Sequence, residues 1–272
     1  MSRTLAVAIA ILATGMIASM ANPVFASANL VTNGDFEING DVGQIASGIS
    51  YLSNWTNTAL PSGAPGFNFV VDDMADSTGF PSVNTPTAHT NIFVWGLGRG
   101  VDNGFQTSTN GGYFLGSDAS YNTSAVTQSI SNLVAGHTYA IKFEWAQAQF
   151  TDNSAATTSG WNVSLGNQTV STGTPILAGR GFSGWNDFAS TFTATAATET
   201  LSFLATGSPA GGPPFALVDG VSLTDTALGT PPPDTNTPTI SAVPEPSTYL
   251  MLLCGLGFLG MMISRQRRKN QQ

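Results

Sequence analysis

The chain has 272 residues and one cysteine, and its 16 carboxylates outnumber its 8 Lys and Arg residues to give a net charge of −8. This acidity argues against nucleic acid and anionic lipid as partners, because both require clustered cations that neutralise phosphate. A single cysteine excludes a disulfide within the chain, and the length suits one sandwich-sized domain between two terminal segments.

The N-terminus has the pattern of a secretory signal peptide. Arg3 precedes an apolar stretch from Leu5 to Met20, and the small residues at Val24 and Ala26, or at Ala26 and Ala28, match the small-x-small cleavage pattern. We therefore predict a signal peptide over residues 1–28, which implies export of everything that follows. An uncleaved signal anchor is the alternative.

Short apolar alternations dominate the chain from residue 29 onward and predict β-strands. In the segment Tyr139–Trp145 every second residue is apolar, while Lys142 and Glu144 occupy the other face, which is typical of a half-buried strand. Similar runs occur at 113–115, 161–165, 188–195, 200–204 and 215–223. We predict an all-β domain, an antiparallel β-sandwich over residues 29–226, because crossover helices for an α/β fold are missing.

The segments between these runs predict turns, loops and a linker. Gly166-Asn167 predicts a tight hairpin turn, because both residues tolerate positive φ. Residues 57–112 are rich in Gly, Pro, Asn and Thr and predict long loops over the sandwich. Residues 227–242 predict an extended Pro/Thr-rich linker. Three cations and fifteen carboxylates between residues 27 and 243 leave a net charge of −12 on the exported part.

The last thirty residues carry a composite sorting pattern. Its motif consists of Val243, Pro244, Glu245 and Pro246. An apolar run from Tyr249 to Ile263 and a basic cluster from Arg265 to Lys269 follow. Residues 243–272 thus resemble the PEP-CTERM sorting signal of Gram-negative bacteria. The resemblance implies export, transient residence in the inner membrane and recognition by an exosortase-type membrane protease, followed by a final location at the cell surface or in the extracellular matrix.

The predicted transmembrane helix over residues 249–263 is a marginal anchor. Fifteen residues at about 1.5 Å each span roughly 22 Å, which is short of the roughly 30 Å hydrocarbon core. The basic cluster stays on the cytoplasmic side by the positive-inside rule. A plain C-terminal anchor that is never cut is the alternative.

Both ends of the sandwich domain resemble a carbohydrate-binding fold. Asn29–Glu37, with Trp55 somewhat later, resembles the opening strand of galactose-binding-like jelly rolls, including carbohydrate-binding modules of families 4, 9 and 22. Phe215–Leu223 resembles their closing strand. The resemblance implies a jelly roll whose first and last strands lie close together and which associates with extracellular polysaccharide.

The same resemblance implies a structural Ca²⁺ shared by the two end strands. Glu37 and Asp219 occupy the matching positions, with Asp35 as a helper, and hard oxygen ligands suit this cation. Gly220 departs from the pattern, because the family often has Asp or Asn there. The alternative is that these are solvated carboxylates at strand ends.

Sugar binding by such modules depends on aromatic faces that lie under the pyranose rings, together with a few placed polar groups. The candidates are Trp95, Tyr121, Trp161 and Trp185. Each has a core or loop-packing position as its alternative. Gln147 and Gln149 continue the apolar face of the 139–145 run and either cap the core or point into a cleft.

No catalytic residue is predicted. The two histidines, His89 and His137, adjoin no nucleophile motif, and without Cys or a His-Glu motif they do not form a zinc site. Glu144 and Glu199 are among many acids that could serve glycoside hydrolysis, which needs only two carboxylates.

These observations predict a non-enzymatic, exported envelope or matrix protein whose sandwich associates with polysaccharide. A structural matrix protein or adhesin without a specific sugar site is the first alternative. A glycan-active hydrolase is the second.

Overall fold

The computed structural model describes residues 27–39, 42–45, 52–76, 94–151, 153–209 and 214–227. All of them belong to the first of two units into which the chain divides, Met1–Thr230. His89, the signal peptide up to residue 26, and the linker, sorting motif and membrane helix from residue 228 onward lie outside the described residues. The signal peptide, the linker and the membrane helix stay predictions. In the described ranges, no helix is both long and apolar enough to cross a bilayer.

The described residues form an all-β structure. Its strands are β1 (Gly43–Gln44), β2 (Thr56–Asn57), β3 (Asn68–Asp72), β4 (Tyr113–Asp118), β5 (Val126–Ile130), β6 (Thr138–Gln149), β7 (Thr157–Leu165), β8 (Gln168–Ser171), β9 (Ile176–Leu177), β10 (Asn186–Thr193), β11 (Glu199–Ser208) and β12 (Pro214–Asp225). Two short 3-10 helices, Asp73–Asp76 and Leu97–Arg99, lie between β3 and β4.

The strands form two antiparallel sheets. The first sheet has the order β1-β3-β4-β12-β6-β10, and the second has the order β2-β5-β11-β7-β8, with β9 paired to β7. Together they form the predicted β-sandwich. The hairpin at Gly166-Asn167 is also confirmed, since it joins β7 to β8 and Gly166 has a φ of 56°.

The main core lies between the two sheets and is centred on Phe203 of β11. The rings of Phe143, Trp161 and Trp55 lie 5.3, 5.9 and 6.0 Å from it, all edge-on. Edge-to-face contacts of this kind add to the gain from apolar burial. The Trp161 indole Nε1 donates a hydrogen bond of 3.0 Å to the Leu217 carbonyl oxygen, which links β7 to the facing sheet.

The opening segment lies beside β12 but is not a regular strand. The Leu30 N–H donates to the Leu223 carbonyl at 2.9 Å, and the Val221 N–H donates to the Gly34 carbonyl at 2.8 Å. The expected proximity of the two ends is therefore present. The expected opening strand is wrong, because Asn33 and Phe36 have φ values of 52° and 56°, in the left-handed region that interrupts an extended chain.

Gln147 and Gln149 cap the core rather than point into a cleft. Both side chains are buried. Gln147 Nε2 donates to the carbonyls of Ser159 and Pro175 at 3.0 and 2.8 Å. Gln149 Nε2 donates to Thr157 Oγ1 at 2.8 Å. A buried amide with these partners avoids the penalty of an unpaired polar group and closes one end of the sandwich.

Replacement of the core indole tests this packing. We expect Trp161→Ala to lower the free energy of unfolding by about 3–5 kcal/mol, the usual loss for a large buried aromatic. The melting temperature should fall by about 2–4 °C per kcal/mol. Leu204→Ala, on the outward side of β11, is the control and should cost far less. Equal losses in the two variants would contradict the central position of Trp161.

Candidate functional site

The outer face of the first sheet is half covered by a loop layer. The sheet contributes a second apolar cluster, formed by Phe69, Val71, Phe114, Ala146, Ala148, Phe215 and Leu217. Phe105, Phe182 and Trp185, from the segments before β4 and β10, pack against it. This half of the face is therefore a second small core and not an open binding platform.

The other half of the same face carries a row of carboxylates. Glu144 of β6 lies between Asp187 of β10 and Asp219 of β12, directly opposite both in register. Asp219 shares the outward side of β12 with Leu217, because the inner core takes Val218. Like charges directly opposite one another destabilise a sheet, so this row costs stability unless a proton or a cation reduces its charge.

An open cleft of about 410 Å³ lies over this half of the face. Its lining includes Asn110, Lys142, Glu144, Asp187, Ala189 and Gly220. Lys142 makes no ion pair with either carboxylate in the part of the chain that the structure describes. The cleft thus presents amide, ammonium and carboxylate groups next to the loop layer.

Asp219 is the most perturbed acid in the described structure. It is 0% exposed, and burial raises the pKa of its carboxyl to about 7, against hydrogen bonds from Ser108 and Gly220 that lower it. The negative charges of Glu37 and Asp35 raise the pKa further. Gly220 follows in a bulge with a φ of 63°, and a Cβ there would meet the Asn110 side chain at 2.4 Å.

Three carboxylates hold the segment Ser108–Tyr113 over this row. Ser108 Oγ donates to Asp219 Oδ2. Thr109 donates to Glu144 through its N–H at 3.2 Å and through Oγ1 at 2.5 Å. The Tyr113 N–H donates to Glu37 Oε1 at 2.8 Å. Four hydrogen bonds to three carboxyl groups thus fix the position of the segment.

The structure places the predicted metal ligands near one another without gathering them around one point. Glu37 and Asp35 act on Asp219 electrostatically. Both are exposed, whereas Asp219 is buried. Within the described ranges, no three His, Cys, Asp or Glu side chains form a group that could hold a metal ion. A Ca²⁺ at this place would need backbone carbonyls and water to complete its six to eight ligands.

The four predicted sugar-binding aromatics do not form one platform. Trp161 is 0% exposed in the core. An indole with both faces covered cannot stack under a sugar ring, so the prediction for Trp161 is wrong. Tyr121 is 54% exposed and lies after β4, where its ring is 5.6 Å from Phe67.

Trp95 and Trp185 lie in the loops beside the outer face. Trp95 Nε1 donates to the Asn153 carbonyl at 2.6 Å, and the Arg180 guanidinium lies 4.7 Å from the centre of its ring, which occupies one face. Trp185 Nε1 donates to the Gln106 carbonyl at 3.0 Å, and its ring contacts Phe114 edge-on at 5.3 Å. Trp185 is half-buried and precedes Asp187 by two residues, on the cleft's side of the sheet.

His137 has a structural role in the described fold. Its Nδ1 lies 2.8 Å from Asp225 Oδ2, which joins the start of β6 to the end of β12. Burial raises the pKa of Asp225, but the bonds from His137 and Ala227 outweigh it and hold this pKa below its usual value. The contact ties two strand ends together.

Asn110 and Asp187 line the cleft but were not predicted from the sequence. Lys142 and Glu144 were placed correctly on the outward face of β6 by alternation. Asp187 belongs to the cleft only because β10 pairs with β6 in the observed register. A signal was available in the outward alternation of Asp187 and Ala189 at the start of β10, but it does not specify the neighbouring strand.

Comparison with known proteins identifies the C-terminal segment. Residues 242–268 match the model of the PEP-CTERM protein-sorting motif. The chain is therefore exported and carries the signal for sorting through the membrane. A comparison with curated proteins finds no match.

Among solved structures, the chain is similar to carbohydrate-binding modules. The CBM61 module TmCBM61, solved with β-1,4-galactotriose, has a TM-score of 0.38 at 15% identity, over 73% of this chain and 99% of that one. The CBM22-1 xylan-binding domain of Paenibacillus barcinonensis Xyn10C has a TM-score of 0.33 at 9% identity, over 74% of this chain and 96% of that one. The CBM22-1-GH10 modules of Clostridium thermocellum Xyn10B, solved with xylohexaose, have a TM-score of 0.36 at 12% identity, over 73% of this chain and 28% of that one.

Proposed function

We propose that the chain is a non-enzymatic protein of the cell envelope or extracellular matrix, released by an exosortase-type protease, whose sandwich associates with polysaccharide through the cleft. The sorting motif at residues 242–268 is the observation that carries the export part of this proposal. The acidity of the exported part, −12 by sequence, favours a neutral or cationic glycan over an acidic one, because like charges repel.

The polysaccharide part is supported by the chemistry of the cleft. Asn110, Lys142 and Asp187 provide an amide, an ammonium and a carboxylate for sugar hydroxyls on one open face. Phe143, Phe188 and Ala189 also line the cleft and add apolar surface, and Trp185 precedes Asp187 by two residues in the adjoining loop layer. Sugar sites combine apolar contact with a few placed polar groups, and this cleft offers both within the described structure.

The sorting step has a direct test. Two prolines keep the segment 244–246 extended and free of helix next to the membrane, where a protease needs accessible backbone. We expect Pro244→Ala combined with Pro246→Ala to leave full-length protein in the inner membrane. Mass spectrometry of the mature C-terminus checks this, and equal release of variant and parent would refute recognition at this motif.

The glycan site is tested by substitutions in the cleft, at the neighbouring Trp185 and away from the cleft. We expect Trp185→Ala and Asp187→Asn each to weaken binding on a glycan array about tenfold, the effect of losing roughly 1.4 kcal/mol. Tyr121→Ala, at the exposed aromatic outside the cleft, is the matched control and should bind like the parent. Melting curves verify that the variants fold. Parent protein that retains no glycan would instead favour the matrix protein or adhesin without a sugar site.

We also propose that Glu37 and Asp219, with Asp35 as helper, hold a structural Ca²⁺ between the opening segment and β12. The negative charges of Glu37 and Asp35, which raise the pKa of Asp219, support the proposal. The ion would also offset the repulsion along the Asp187–Glu144–Asp219 row.

The pH dependence of stability separates a bound Ca²⁺ from a buried proton. A carboxyl whose folded pKa is raised from 3.8 to about 7 gives stability that is complete below pH 3.8 and is lost as the pH rises through 7. In chelator, the melting temperature should therefore fall between pH 5 and 8. The fall corresponds to a loss of a few kcal/mol in the free energy of unfolding, since one pKa unit is about 1.4 kcal/mol.

Millimolar Ca²⁺ should remove most of this fall, because it binds the ionised carboxylate of the folded state alone. Asp219→Asn, which cannot ionise, should show neither this component of the pH dependence nor the response to Ca²⁺. Identical melting temperatures at pH 8 in Ca²⁺ and in chelator, measured on parent protein first stripped of metal, would exclude the ion.

A further inference from the structure

The first sheet ends at β10 with an edge that the described part of the chain leaves open. β10 pairs with β6 without interruption from Asn186 to Thr193, and it contains no Lys, no Pro and no bulge. These are the common devices by which edge strands avoid pairing with another chain. The edge is eight residues long and lies beside the cleft.

Hydrogen bonds around Thr193 establish which backbone groups face outward. The Thr193 N–H donates to Gln168 Oε1 at 3.0 Å, and its carbonyl accepts from Gln168 Nε2. Opposite it, the Thr138 carbonyl accepts from the Thr226 N–H on the side of β12. Thr193 therefore directs its backbone groups away from β6.

Hydrogen-bonding direction alternates along an antiparallel strand, so Asp187, Ala189 and Thr191 also direct their N–H and C=O groups away from β6. All three residues are exposed, and these groups have no partner within the described residues. Gln168 closes the edge at Thr193. The open part is thus a defined stretch of three outward-facing residues.

We propose that this open stretch of β10 pairs with β10 of a second copy of the chain, antiparallel and about a two-fold axis at Ala189. In that register Ala189 lies opposite Ala189 of the second copy, and Asp187 lies opposite Thr191. Each of these pairs exchanges two N–H···O bonds, so every open backbone group is used. A register centred on Ser190 would place Asp187 opposite Thr193, whose backbone groups Gln168 already occupies.

Side chains agree with this register. On the outer face, the carboxylate of Asp187 meets the hydroxyl of Thr191, and two alanine methyl groups meet at the axis. On the inner side, Phe188 lies opposite Ser190. No two like charges are directly opposite, which is the arrangement that would oppose pairing. An isologous interface of this kind closes after two copies and does not continue into a fibre.

The pairing joins the first sheet of each copy into one continuous sheet. It also sets the two clefts side by side, because Asp187 and Ala189 line the cleft. Two linked sites on one face raise the avidity for a repeating polymer. The dimer itself does not depend on whether the cleft binds glycan.

Cross-linking tests the register in the full chain, purified in detergent micelles. Cys254, the single cysteine, is first replaced by Ser. Residues in a hydrogen-bonded pair have Cα atoms about 5.5 Å apart, which is within disulfide range. Ala189→Cys should therefore give an oxidised dimer, whereas Thr169→Cys, at an exposed position of β8, should not. Cross-linking of both variants alike, or of neither, would overturn the proposal.

A second measurement does not depend on introduced thiols. Sedimentation of the parent and of Ala189→Ser should show the same dimerisation, whereas Ala189→Lys should weaken it at least tenfold by apposing two ammonium groups at the axis. In the parent, hydrogen exchange at the amides of Asp187, Ala189 and Thr191 should slow only at concentrations that give dimer. Protection that is already complete in the monomer would mean that another segment of the chain covers the edge, and the proposal would fall. Association that Ala189→Lys leaves unchanged would also overturn it.

Discussion

Burial of β12 on both faces is the constraint that shapes this domain. The strand lies between β4 and β6 in the first sheet, with Ala216, Val218 and Val221 in the core between the sheets. Phe215 and Leu217 point to the opposite face, where they too are buried. A strand that is apolar on both sides needs cover on its outer face. The loop layer from the segments before β4 and β10 provides that cover.

The loop layer in turn depends on polar contacts, because loops lack a ladder of their own to satisfy backbone groups. Asp219, Glu144 and Glu37 accept hydrogen bonds from Ser108, Thr109 and Tyr113. The apolar part of the outer face is thus covered by aromatic packing, and its acidic part is bridged by hydrogen bonds to a single segment. Asn110 of this segment and Glu144 also line the cleft.

How much of this the sequence could predict depends on the range of each interaction. Alternation within a strand is local, so the strand at residues 139–145 and the outward position of Lys142 were predictable. The same pattern places Trp161 on one face with Val163 and Leu165, and applying it would have assigned that indole to the core. The prediction for Trp161 is wrong because its position in the strand, and not its aromatic character, determines that it is buried.

Contacts between strands distant in sequence could not be predicted in this way. The Asp187–Glu144–Asp219 row exists only through the register of β10 and β12 on β6, and side-chain alternation does not specify which strands are neighbours. The loop layer has no periodicity at all. The resemblance of the two ends to a jelly roll correctly brought Asn29–Gly34 beside β12, but the left-handed residues Asn33 and Phe36 interrupt the expected strand.

The acidity of the exported part has two opposite consequences for the proposed contacts. A net charge of −12 keeps copies apart at long range, yet the Debye length is only about 8 Å at physiological ionic strength. At the β10 edge, therefore, the electrostatic contribution to pairing comes from the charges near the two-fold axis. Among the three open residues of each copy, only Asp187 is ionisable. Beside the cleft, the negative charges of Glu37 and Asp35 raise the pKa of the buried Asp219, so repulsion among acids is felt in the folded state there. Charge thus discourages nonspecific association, while the β10 edge carries a single carboxylate per copy, which the proposed register places opposite a hydroxyl.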